Sequence, residues 1–144
     1  MHLALRKTDG KTLFSKLFNL ATRWRLHTKY PHAGIVIGGT LYHMTYSEGL
    51  HAVPFNPEGW DVFEFGGSDA YAISAFNARA GAEYDAISLL AFVLPWRVRD
   101  SRRLYCYEWC WLAMTSENPG VKITPEDLLV LIKKKAVMHG SGGI

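Results

Sequence analysis

The stretch YPHAGIVIGGTLYHM, Tyr30 to Met44, decides the fold. It holds two apolar, β-branched runs, HAGIVI and TLYHM, split by Gly38-Gly39. Two glycines between such runs signal a two-residue hairpin, because the strand twist demands left-handed backbone in the turn. With the turn there, Ile37 opposes Thr40, Val36 opposes Leu41 and Gly34 opposes His43. Residues two apart on a strand share a face. His32, Gly34, His43 and Thr45 therefore lie on one face, with the two imidazoles on a diagonal about 7–8 Å apart at Cα. Gly34 leaves open space beside His43 in this reading. Histidines on buried strands need a partner or a shifted pKa. Either both are satisfied in the core, or they face a common partner from elsewhere in the chain.

Working outward, Met1 to Lys7 reads as a short first strand. KTLFSKLFNLATRWRL puts Leu13, Phe14, Leu17, Leu20, Ala21 and Trp24 on one helical stripe. That is a helix packed on the core, or a basic amphipathic surface for lipid. Downstream of the hairpin, SEG turns into a strand LHAVPF, which Pro54 and Pro57 end or mark as an edge. His51 lies on it, on a face set by the unknown parity of the turn. WDVFEF is a further strand. Ser68 or Asp69 caps a helix AYAISAFNARAG, and AEYDAISLLAFVL is a second helix stopped by Pro95. The basic loop RVRDSRR leads to the helix CYEWCWLAM. Thr124 caps a last helix, PEDLLVLIKKK, with proline at its first position and acids in its first turn. Residues 138–144 read as a loose tail.

The 144 residues suit one domain, 1–144, with a substantial core. A net charge of +3, from 16 Lys+Arg against 13 Asp+Glu, is too small to imply nucleic acid. Two cysteines are no secreted disulfide framework. No run approaches the roughly 18 apolar residues of a membrane span, and MHLALRKTDGK lacks a signal-peptide core. The expected location is cytoplasmic or virion-associated.

Cys106 opens its helix directly after an extended segment. A helix start offers unpaired N–H groups and partial positive charge, and Arg102 and Arg103 lie close in sequence. Both favour the thiolate. Cys110, one turn further on with Trp109, Ala113 and Met114, reads as a packing thiol. A cysteine nucleophile needs a base, and the base needs an orienting group. His32 and His43 fill those roles if the Cys106 helix packs on their face. The N–H groups of Cys106 and Tyr107 then point where an acyl oxyanion develops.

At these residues the chain resembles the circularly permuted papain-like cysteine hydrolases of the NlpC type, including YiiX-like proteins and the lecithin:retinol acyltransferase group. There an "HxGIxI"-like strand carries the base, a polar residue follows on the next strand, and the cysteine comes last in a "YCSEL"-like helix start. HAGIVIGGTLYH matches the first two parts and YCYEWC the third; GAEYD looks like the "YD" segment of YiiX-like chains. The resemblance spans Leu17 to Met114. It implies an α+β fold, an antiparallel sheet packed against helices. It also implies a cofactor-free triad with Cys106 as nucleophile, His32 as base and His43 as orienting group. Tyr107 stands where the family has a small serine, beside the expected pocket, and Glu108 matches the family glutamate. The substrate side then holds Tyr107, Glu108 and Gly34.

The activity so implied is a thiol hydrolase or acyltransferase acting on an amide or ester. Its substrate is a peptidoglycan peptide or a lipid acyl group, and contact with a cell wall or membrane surface would follow. A second expectation is a non-catalytic binding or structural module, such as a phage protein, on the same fold. A third is a zinc site from His32, His43, Cys106 and Cys110, whose residue types suit the metal although the histidine spacing fits no known signature.

Overall fold

The computed structural model describes residues 1–7, 20, 28–83, 105–119 and 122–140. The expected helix from Lys11 to Leu26 (Leu20 apart), the helix AEYDAISLLAFVL beyond Glu83 and the loop RVRDSRR lie outside them. The described residues form an α+β arrangement of five antiparallel strands and three helices.

The chain opens with β1 (His2–Arg6), then reaches β2 (His32–Ile37) and β3 (Thr40–Thr45). Gly38 and Gly39 have φ of 55° and 79°, so both turn residues occupy the left-handed region that glycine enters without a Cβ penalty. The resulting register pairs Gly34 with His43, Ile35 with Tyr42, Val36 with Leu41 and Ile37 with Thr40, as the two-residue turn requires. The next turn, Tyr46 to Glu48, has three residues, and Gly49 follows it at φ 66°. It leads into β4 (Gly49–Pro54), which pairs Thr45 with Gly49 and His43 with His51. The strand β5 (Trp60–Glu64) pairs with β1. The sheet order is β4-β3-β2-β1-β5, so β4 is an edge strand and ends at its proline.

Strand alternation gives the sheet two faces. Leu3, Leu5, Ala33, Ile35, Met44 and Leu50 point to the helices and are almost wholly buried there. Each such Leu or Ile contributes about 1.5–3 kcal/mol. Ala4, Val36 and Leu41 form a smaller cluster on the other face, with Val53, Phe55 and Trp60 against it.

Three helices follow. In α1 (Asp69–Arg79) the Ser68 hydroxyl accepts the Tyr71 N–H at 3.2 Å, which caps it as expected. The second, α2 (Cys106–Thr115), has no side-chain cap and stops at Ser116, whose left-handed φ of 66° lets its N–H reach the Leu112 carbonyl. The third, α3 (Pro125–Gly140), starts with a reciprocal cap: Asp127 N–H donates to Thr124 Oγ1, and Thr124 N–H donates to Asp127 Oδ2. It runs to Gly140, so residues 138–140 are helical, contrary to the expected loose tail from 138.

The helix α2 is the centre of the packing. Trp109 Nε1 donates to the Tyr42 carbonyl at 3.0 Å. Tyr107 donates its hydroxyl to the Tyr30 carbonyl at 2.7 Å, which ties the helix start to the residue before β2. The Tyr105 hydroxyl accepts the Ile123 N–H and donates to the Ile123 carbonyl, which ties it to the approach to α3.

Candidate functional site

His32 and His43 meet. His32 Nε2 and His43 Nδ1 lie 3.0 Å apart, and the rings are edge-on at a centroid distance of 5.2 Å. The hairpin register causes this: it sets both side chains on one face, one residue pair apart diagonally. Among the described residues nothing is bonded to the other nitrogen of His32, Nδ1. Burial holds the His32 ring well below the ordinary imidazole value, at about 3, and the basic neighbours His43, Arg6 and His51 push the same way. Burial likewise lowers His43, to about 4, helped by His51 and Arg6. Both rings are therefore neutral at neutral pH.

The row continues beyond the pair. His51 stands directly opposite His43, with ring centroids 4.4 Å apart. Its Nδ1 lies 2.9 Å from the Gly49 carbonyl and its Nε2 2.9 Å from Glu48 Oε2. On the other side, Arg6 opposes His32 and lays its guanidinium 5.6 Å over Trp60, whose ring lies 5.8 Å from that of His32. Within this face the atoms His43 Nε2, Arg6 Nε and Thr45 Oγ1 are buried without a hydrogen-bond partner. The sequence reading did not place His51 in the site. The parity of the three-residue turn would have done so.

Cys106 begins α2 and is 2 % exposed. Its sulfur takes the N–H groups of Ala33, Tyr107 and Cys106 itself. Those bonds favour the thiolate, as the helix-start argument expects, but burial outweighs them and pushes the thiol up to about 12. The expected thiolate is thus corrected to a neutral thiol. The packing face is corrected too. The helix lies against Ala33 and Ile35, whereas strand alternation sends His32 and His43 to the opposite face. Sulfur and imidazoles approach the start of β2 from its two sides. The contact is Ala33 N–H, one residue from His32, and no hydrogen bond joins the thiol to either ring.

The expected substrate-side residues are all packed. A side chain at Gly34 would meet Leu41 Cδ1 at 2.6 Å, His43 Cβ at 3.0 Å and the Tyr42 carbonyl at 3.2 Å, so the glycine permits close strand packing and leaves no open space. Tyr107 is fully buried and fills core volume, with its hydroxyl committed to Tyr30. Glu108 is buried in the first turn and opposes the thiolate electrostatically. Cys110 is buried, as expected of a packing thiol, and burial raises it. Among the described residues no group of three or more His, Cys, Asp or Glu is placed to hold a metal, which leaves the four-residue zinc set without geometric support. No helix among them is long and apolar enough to cross a membrane.

No protein-family model, curated protein or solved structure matches this chain.

Proposed function

We propose that this chain is a thiol hydrolase or acyltransferase on a permuted papain-like scaffold, with Cys106 as nucleophile, His32 as base and His43 as its orienting partner. The observation that carries the reading is the His32 Nε2–His43 Nδ1 bond. It occupies the far nitrogen of His32 and leaves Nδ1 for the sulfur, which already touches the strand at the next residue, Ala33. In the reaction the Cys106 proton passes to His32 Nδ1 as Sγ bonds to the carbonyl carbon of an amide or ester. The N–H groups of Cys106 and Tyr107 receive the oxyanion. The C–N or C–O bond then breaks, the leaving group takes the proton from His32, and water or another acceptor releases the acyl group. The resting thiol and imidazole are both neutral, so the ion pair forms only as the sulfur leaves the Ala33 N–H for the ring.

The test is intact-mass labelling of the folded protein with amide and ester acyl probes and with iodoacetamide. One adduct is expected on the wild type and on Cys110→Ser, and none on Cys106→Ala. Probe preference then separates peptide amides from lipid acyl esters. A folded wild type that takes no adduct, or takes it on Cys110, overturns the assignment. A second reading, a non-catalytic binding module on the same scaffold, draws support from the buried thiol and the packed Tyr107. Its signature is that inert folded protein.

A further inference from the structure

We infer that His51 is a positioning residue for the histidine pair: held at both nitrogens opposite His43, it keeps a positive charge against that ring and so maintains His43 as the neutral partner of His32. Two oxygen acceptors fix the His51 ring, the Gly49 carbonyl at Nδ1 and the Glu48 carboxylate at Nε2, each at 2.9 Å. A ring with two N–H groups satisfies both at once. The strand register sets this ring directly across from His43, at 4.4 Å between centroids.

The two ends of the row differ in their access to water. The Glu48 side chain is 65 % exposed and that of His51 20 %, whereas His43 is 9 % exposed. A proton entering from solvent reaches His51 first. A second charge on buried His43, one ring away, is then opposed by His51 and by the other basic groups that face it, Arg6 from β1 and His32 from β2. Glu48 is the acid that faces His51 and holds the first charge in place. Neutral His43 offers Nδ1 as an acceptor for His32 Nε2–H, and this sets the tautomer in which His32 Nδ1 is free to take a proton. His51 touches no reacting atom and acts through His43.

The inference rests on the proposed role of the pair, yet its test reads His43 directly. Histidine-ring NMR is followed through a pH titration of the wild type, His51→Gln and His51→Phe. Phenylalanine keeps a ring against His43 and removes only the charge. In the wild type His51 takes its proton before His43 as acid is added. In both variants His43 titrates about one pH unit higher than in the wild type. Where Cys106 labels, the pH of half-maximal labelling moves in the same direction. An unmoved His43 titration in folded His51→Phe overturns the inference, because packing alone then accounts for the contact. So does a wild type in which His43 is protonated first, a result that needs no variant. An inert Cys106 beside a shifted His43 removes the proposed chemistry and leaves the role of His51 in the pair intact.

Discussion

At Gly34 the two strands of the hairpin leave no room for a side chain. A Cβ there collides with Leu41 and with His43, and the Tyr42 carbonyl behind them is backbone that cannot yield cheaply. Gly34→Ala is expected to cost about 1–3 kcal/mol in a urea titration, the usual penalty of overpacking. It is also expected to displace the His43 ring from His32, visible as a changed His43 resonance. The meeting of these two imidazoles was legible in the sequence because a two-residue turn fixes parity, and parity fixes the face. His51 was not, because Tyr46-Ser47-Glu48 gives no comparable signal for an odd or even turn. The thiol was misread for an energetic reason. A helix end favours a nearby anion by about 0.3–1 kcal/mol, while burying a charge costs several kcal/mol. With Cys106 at 2 % exposure, burial wins.

Among the elements, the hairpin depends on its turn and α2 on its surroundings. Gly38 and Gly39 both have positive φ, which asparagine tolerates far better than a β-branched residue. Gly38→Asn is expected to leave stability within about 0.5 kcal/mol. Gly39→Val is expected to destabilise by about 1–3 kcal/mol and to weaken the His32–His43 contact, read by thermal denaturation and ring NMR. An equal effect of the two substitutions would contradict the assigned turn. Strands and caps were readable from local chemistry: the Ser68 and Thr124 caps, Pro54 at the end of β4, and proline at the start of α3 all stand where their residue types place them. The face against which α2 packs was not readable. Nearly every residue of CYEWCWLAMT is buried, so no polar stripe indicates which side meets the sheet.

For the whole molecule, the site makes stability depend on pH. His32 and His43 lie at about 3 and about 4 in the folded chain against an ordinary 6.5. Between those values the unfolded chain binds more protons, so stability is full above about pH 6.5 and falls as the solution is acidified toward pH 4. The slope reaches about 1.4 kcal/mol per pH unit for each ring. Cys106, raised from 9.0 to about 12, acts at the other end: its contribution is present below pH 9 and is lost as pH rises toward 12. Urea midpoints are expected to be highest from about pH 6.5 to 9. A flat profile between pH 7 and 4.5 would show that the rings are not buried as neutral groups. The strand order behind this burial, with β1 between β2 and β5, comes from pairings distant in sequence that no local pattern announces. The two phenols beside Cys106 carry a related consequence. Tyr107 is anchored 77 positions upstream and Tyr105 18 positions downstream. A nascent chain that has emerged only as far as α2 already owns the ribbon with its imidazoles, yet its sulfur has no fixed address until Ile123 arrives.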